Sequence, residues 1–313
     1  MTNRRDFLVR FTMAAGAVSI LKPLNAFASV GGKCLPPTRT SMLTILHTAN
    51  IQGQWSSLGI TEKLSGLGGL QNITEKLAGI RNENPSAVVI DAGNMSGCRQ
   101  TREERLNFYK RVSNAAYDAV VPGWTDLALG TTCFAEIVNA SGVKIVPYIK
   151  QLGINTGLLP YSILKKGKAC IGIINAGIPA LKGAQNTSTL PLAVVINQTA
   201  QLLRSSKNCT LIICVVQSSD KKCLKLAGLS AGIDVMISTV GKTSLHNTEV
   251  IRNKSNHEVI ISYAGAKGAM ISRIDFTFNE CGEKINVASK AIFTGAEDES
   301  YAGILKRYAA YNA

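Results

Sequence analysis

Four short apolar runs in this chain end in the same way, and that repetition limits what it can fold into. Leu43, Ile45 and their neighbours run into His47-Thr48-Ala49-Asn50-Ile51-Gln52-Gly53. Ala87–Ile90 runs into Asp91-Ala92-Gly93-Asn94, and Tyr117–Val121 into Pro122-Gly123-Trp124-Thr125-Asp126. Leu211–Val216 runs into Gln217-Ser218-Ser219. An apolar run of this length that breaks into turn chemistry predicts a strand buried on both faces, opening into a loop. In α/β sheets that carboxyl end is where ligands sit.

Helical spacing separates these runs. Leu67, Leu70, Ile73, Leu77 and Ile80 share one face within Gly66–Asn84, which Pro85 closes. Further helices are expected over Arg102–Ala116, Phe134–Ala140, Val194–Ser205 and Leu224–Leu229. Further strands are expected over Val143–Ile149, over Ala169–Asn175 after the hairpin-like Lys165-Lys166-Gly167-Lys168, and over Gly232–Ile237. Asn186–Thr189 reads as a polar loop. The alternation predicts an α/β fold, and with no internal repeat, low-complexity tract or linker the expectation is a single domain.

The amino terminus follows other rules. Asn3-Arg4-Arg5-Asp6-Phe7-Leu8 precedes an apolar run from Phe11 to Leu21 and the small-residue exit Ala26-Phe27-Ala28. A paired arginine, a short apolar core and that exit predict a twin-arginine signal peptide over residues 1–28, with export to the periplasm or cell envelope. The run is too short to span a bilayer comfortably, so no transmembrane span is expected in the mature protein. Lys33 before Cys34 argues against a lipoprotein cleavage box.

Removing residues 1–28 leaves 30 basic and 19 acidic residues, a net charge of +11. Such a surface favours anionic neighbours, which in an envelope are lipid head groups or acidic polysaccharide. No run of Lys or Arg exceeds two residues, so a solvated basic surface is the simpler reading. No aromatic-interleaved basic stripe appears, and nucleic acid is not expected as a partner. The spacing of Cys209, Cys214 and Cys223 matches no zinc pattern, and Cys209 and Cys214, which bracket the apolar run Leu211–Ile213, are expected to pack with a strand. Export would make disulfides available to the eight cysteines, all of which follow the leader.

The segment Leu43–Trp55 closely resembles H-T-N-D-x-H-G, the opening motif of the 5'-nucleotidase and UDP-sugar hydrolase family of calcineurin-like metallophosphoesterases. Its twin-arginine-exported branch includes thiosulfohydrolase-type enzymes. The resemblance continues in order. Gly66–Asn94 is similar to the block ending D-a-G-D, and Pro122–Gly130 falls where the family writes G-N-H-E-F-D-x-G. Gly232-Ile233-Asp234-Val235-Met236-Ile237 is similar to the family's G-I-D strand. Tyr263–Ile271 with Arg273–Phe276 is similar to its closing A-G-x-x-G hairpin. The resemblance implies a four-layer α/β/β/α sandwich over residues 43–278, preceded by a segment at 29–42. Residues 279–313 are then a carboxyl-terminal extension, too short for the substrate-binding second domain that many members carry.

It also implies a dinuclear metal site, and there this sequence departs from it. Such a site holds two divalent ions about 3.5–4 Å apart with carboxylate and imidazole ligands. Asn50, Gln52, Asn94, Trp124, Gln217, Val240 and Lys242 stand where the resemblance places ligands, and Thr125 where it places the histidine that stabilises the leaving oxygen. Amides are poor ligands for these ions, and Val, Trp and a lysine ammonium do not ligate them. The whole chain has three His. His47, at the end of the first strand, is expected to be structural, and His246 and His257 lie in a polar loop-and-hairpin region. No catalytic residue, metal ligand or cofactor is therefore expected. The leading reading is an exported, catalytically inactive relative that acts by binding a small anionic or sugar-like ligand, or an anionic envelope component. Asn50, Gln52, Asn94, Trp124, Thr125, Gln217 and Lys242 would line its cleft. The alternatives are an active periplasmic hydrolase of the 5'-nucleotidase type with an atypical site, and an envelope interaction protein using its basic exterior.

Overall fold

A computed structural model describes residues 40–59, 64–147, 158–177, 189–239, 248–295 and 299–312. The expected leader, Val240, Lys242 and His246 lie outside the described residues, as does most of the loop expected at Asn186–Thr189.

Eleven strands form two sheets among the described residues. They are β1 (Ser41–Thr48), β2 (Val88–Asp91), β3 (Ala119–Val120), β4 (Tyr161–Lys166), β5 (Ala169–Asn175) and β6 (Leu211–Val216). They continue with β7 (Val235–Ser238), β8 (Thr248–Arg252), β9 (Glu258–Tyr263), β10 (Met270–Phe278) and β11 (Lys284–Phe293). The first sheet has the order β11-β10-β1-β2-β3 and the second β4-β5-β6-β7-β9-β8. β1, β2 and β3 run parallel, as do β5, β6, β7 and β9. The outer strands β10, β11, β4 and β8 pair antiparallel. The helices are α1 (Leu70–Glu83), α2 (Arg102–Asn114), α3 (Thr131–Ser141), α4 (Thr189–Ser205), α5 (Asp220–Leu229) and α6 (Tyr301–Asn312).

The alternation of side chains along each strand explains the layering. Leu43, Ile45, Val88, Ile90, Ile171, Ile173, Ile213, Val215 and Ile237 point into a core between the two sheets. Their neighbours Leu46 and Val89 point the other way, onto α1, α2 and α3. Ile212, Cys214 and Val216 likewise point onto α4 and α5. Strands buried on both faces must read as continuous apolar runs, the pattern met in the sequence. The result is the expected four-layer α/β/β/α sandwich. Helix ends follow local chemistry as well: Thr101 caps α2 through a capping box with Glu104, and Gly142 ends α3 in a left-handed conformation.

Two expectations change. Tyr263–Ile271 does not close a hairpin. β9 pairs with β7 in the second sheet and β10 with β1 in the first, so the Ala264–Ala269 turn carries the chain across the seam. Local sequence shows a strand, a glycine turn and a strand, and is blind to which sheet each joins. Val143–Ile149 contributes only an isolated bridge from Ile145 to Val120 among its described residues. The segment after Phe278 supplies β11, which pairs along β10, while Ile304 of α6 packs with Leu58, Leu64, Leu67, Met270 and Phe293.

Phe276 is fully buried in the seam and its ring stacks on Phe278 at 6.2 Å. Phe276→Ala should therefore cost about 3–5 kcal/mol of unfolding free energy, by lost transfer and an unfilled cavity. Urea denaturation checks this, with the midpoint falling and the slope unchanged.

Candidate functional site

The carboxyl ends of β1, β2, β3, β6 and β7 emerge at one edge of the seam, and the described residues that follow them meet there. Asn50, Gln52 and Asn94 all hold left-handed backbone, with φ of 54°, 55° and 58°. Asn tolerates this region better than most side chains. The two loops are laced together. Asn50 N donates to Gly93 O at 2.8 Å, Gln52 N to Asn94 O at 2.9 Å and Gly53 N to Met95 O at 2.8 Å. Lys267 N, from the crossover turn, donates to Asn50 O at 2.8 Å.

The side chains form one continuous chain of hydrogen bonds across this edge. Thr125 donates to Asn94 Oδ1 through its backbone N at 3.1 Å and its hydroxyl at 3.3 Å. Asn94 Nδ2 donates to Asn50 Oδ1 at 2.9 Å, and Asn50 Nδ2 donates to Thr239 O at 2.6 Å. The chain thus starts in the β3 loop of the first sheet and ends after β7 of the second. Gln217 makes a second crossing, its Nε2 donating to Pro122 O at 2.8 Å. Gly123 permits the packing, since a Cβ there would collide with Asn94. Gly93 does the same for Gln217.

Of the residues expected in the cleft, the structure brings Asn50, Asn94, Thr125 and Gln217 into this network. Asn94 and Thr125 are buried. Gln52 adjoins them through its backbone while its side chain is exposed. Trp124 stands on the same rim with 53% of its surface exposed. Lys242 and Val240 are outside the described residues.

Two groups that sequence reasoning passed over hold the loops in place. Arg105, 1% exposed, donates from Nη1 to Thr125 O at 2.5 Å and Asp126 O at 3.1 Å. It also donates from Nη2 to Gly97 O at 2.9 Å and from Nε to Gln100 O at 3.1 Å. The Asp126 carboxylate accepts from Gly123 N at 2.7 Å, Ser96 N at 2.7 Å and Ser96 Oγ at 2.8 Å. Arg105 reaches Ser96 Oγ too, at 3.2 Å, so one hydroxyl lies between the two buried charges. Arg105 sits in a charged stretch that looks solvated. The available signal was its register with Phe108, Tyr109 and Val112, the buried face of α2.

Two more titratable groups are buried nearby. Asp91 accepts from Thr48 Oγ1 at 2.7 Å and Gly93 N at 2.9 Å. Burial pushes its pKa well above the ordinary carboxylate range despite those bonds. His47 bridges the two sheets through Nε2 and Ser262 Oγ at 2.6 Å, and burial lowers its pKa to about 3. Imidazole is therefore neutral in the folded state at ordinary pH, which suits the structural role expected of it.

Among the described residues, the donor set at this edge does not fit a dinuclear metal centre. Asn50 and Asn94 spend their amides on each other, on Thr125 and on Thr239, and Gln217 donates to a carbonyl. Among the described residues no group of three or more His, Cys, Asp or Glu is placed to hold a metal ion. Cys209 and Cys214 pack into the core beneath α4 and α5, as their setting predicted, and Cys223 joins them there.

Two outcomes test this construction. Arg105→Met strands the buried carbonyls of Thr125, Asp126 and Gly97, so stability should fall by about 3–5 kcal/mol in chemical denaturation. For His47, the unfolded state binds a proton below pH 6.5 that the folded state refuses until about pH 3. Stability should therefore fall through that window by about 1.4 kcal/mol per pH unit as the medium is acidified. The raised Asp91 acts oppositely and only upward from its unfolded value of 3.8. Denaturation series of the parent and His47→Gln in the same buffers isolate the histidine, and the variant should lose its share of the slope.

Neither a protein-family model nor a curated protein sequence matches the chain. Solved structures do. The 5'-nucleotidase precursor of Thermus thermophilus superposes with a TM-score of 0.67 at 16% identity, over 87% of this chain and 58% of that one. The Thermus thermophilus sulfate thiohydrolase SoxB gives 0.63 at 15% identity, over 89% and 61%. The calcineurin-like phosphoesterase YfkN of Bacillus subtilis gives 0.60 at 14%, over 87% and 97%. The chain thus spans about three-fifths of the length of the first two and nearly all of the third. With the two sheets, their order and their flanking helices, these likenesses establish that this chain has the calcineurin-like metallophosphoesterase fold.

Proposed function

We propose that this protein is a metallophosphoesterase-fold binding protein, exported by the twin-arginine route to the periplasm or cell envelope, in which two-metal hydrolysis has been lost. The observation that carries the reading is the Asn94–Asn50 amide pair at 2.9 Å. In the family this chain resembles, carboxylates at those two positions hold the ions. The ions lower the pKa of a bound water from 15.7 to about 7, roughly 12 kcal/mol of help to the nucleophile. Two amides that satisfy each other supply none of it. Removing both carboxylates also removes like charges that would repel at this distance.

The same network favours binding at the rim over binding deep in the cleft. Its inner amides are committed, whereas Trp124 and Gln52 keep exposed side chains on loops around Asn94. An exposed indole and an exposed amide on neighbouring loops suit a sugar-like or small anionic ligand. Export rests on the Arg4-Arg5 leader, and no helix among the described residues is long and apolar enough to cross a membrane. Residues 279–313 serve the fold in this reading, since β11 and α6 complete the first sheet and its flank.

Metal analysis and a phosphoester assay on the purified full chain test the reading together. The expected result is less than one equivalent of manganese, zinc or iron, with no turnover that rises with added manganese and disappears with a chelator. Two tightly held equivalents accompanied by chelator-sensitive hydrolysis would overturn it.

A further inference from the structure

The geometry points to a covalent clamp on the second sheet, at the end of β5 and β6 opposite to the cleft: we infer that Cys170 and Cys209 are a disulfide-forming pair. Their sulfurs lie 3.7 Å apart. A disulfide needs about 2.05 Å between sulfurs, a difference that small side-chain rotations cover when the backbone is already suitably placed. Here it is placed by neighbouring bonds. Thr210 N donates to Cys170 O at 2.7 Å, and Cys170 N donates to Thr210 Oγ1 at 3.2 Å. Cys209 N donates to Leu203 O at 2.9 Å, and Arg204 Nη1 donates to Cys209 O at 3.1 Å. Gly172 leaves room for the Leu203 side chain next to the Cys209 sulfur, since a Cβ there would come within 2.8 Å of Leu203 Cδ1.

The two thiols differ in access, and the difference assigns the order of events. Cys170 is partly exposed near the Lys207 carbonyl, and Cys209 is buried, its thiol pushed up to about 11 chiefly by burial. Cys170 is thus the sulfur that meets an oxidant. Its thiol gives a proton to solvent, and the thiolate attacks one sulfur of a partner disulfide such as that of a thiol–disulfide oxidoreductase. A mixed disulfide forms and one partner thiolate leaves. Cys209 then gives up its proton, its sulfur attacks Cys170 Sγ, and the second partner thiolate leaves. Two S–H groups of this chain become one S–S bond, and the partner's S–S bond becomes two thiols.

The bond would tie β5 to the turn that enters β6 and close the stretch from Ile171 to Asn208, which includes α4. Cys214 and Cys223 offer a contrast, since both are fully buried and present no sulfur to an incoming oxidant. Cys98 and Cys281 are exposed. The compartment in which closure takes place rests on the export reading, but the pairing does not depend on it or on the absence of catalysis.

Oxidised glutathione, added stepwise to the reduced full chain, is the probe. Free thiols are then alkylated and the digest is read by mass spectrometry. Cys170 and Cys209 should appear as one linked peptide while Cys98 and Cys281 carry glutathione or alkyl groups. The melting temperature should rise by roughly 5 °C or more on closure, since a cross-link over a long loop restricts the unfolded chain. Cys170→Ser should abolish both effects, and Cys281→Ser should leave them intact. Glutathione on Cys170 with an alkylated Cys209, or both thiols alkylated once Cys98 has reacted, would overturn the pairing. Both readouts come from the parent protein, so they stand even if a variant at Cys209 fails to fold.

Discussion

Everything at the edge of this molecule hangs from the apolar seam between its two sheets. Each central strand gives alternate residues to that seam, with Ile45, Ile90, Ile213, Ile237 and Phe276 all fully buried. Each such side chain is worth about 1.5–3 kcal/mol relative to exposure. Once the seam forms, the parallel strands of both sheets deliver their carboxyl ends to one edge. The residues just beyond these strand ends must then share a small volume, and their polar groups have to satisfy one another or water. The few polar bridges through the seam, such as His47 to Ser262 and Ser272 to the Tyr263 carbonyl, are short and specific.

That requirement explains why the edge is so thoroughly hydrogen-bonded. Arg105 and Asp126 are both charged and buried, a costly arrangement unless each is fully served. Arg105 is served by backbone carbonyls and Asp126 by backbone amides, so the pair stabilises two loop conformations together. Asn94 and Thr125 sit on those loops, and the amide chain through Asn50 to Thr239 follows from their placement. A carboxylate at Asn50 and another at Asn94 would face each other at hydrogen-bonding distance and would need a cation between them. Two amides present a donor to an acceptor and need nothing.

Much of this was legible in the sequence because strands buried on both faces announce themselves. β1, β2, β6 and β7, the α1 face and the polar residues at each strand end could all be read from apolar runs and their breaks. The grouping of Asn50, Asn94, Thr125 and Gln217 followed from the resemblance, and their mutual hydrogen bonds could not, since amide pairing depends on side-chain direction. β9 and β10 were misjudged because a turn between strands looks the same whether they pair or part. β11, with exposed positions along half of its length, lacks the apolar run that marks a buried strand. Arg105 hid in a charged segment, where only its helical register with Phe108 and Tyr109 betrayed it.

Asn50 and Asn94 meet through their amides beside Gln217, and under the proposed function this point takes up no metal. Anomalous diffraction at the manganese edge from crystals soaked in manganese tests it most directly. No anomalous peak is expected between these three side chains, with the Asn94–Asn50 and Asn50–Thr239 hydrogen bonds intact. Two peaks there, about 3.5–4 Å apart as in a dinuclear centre, with the amides turned to offer their oxygens, would contradict it.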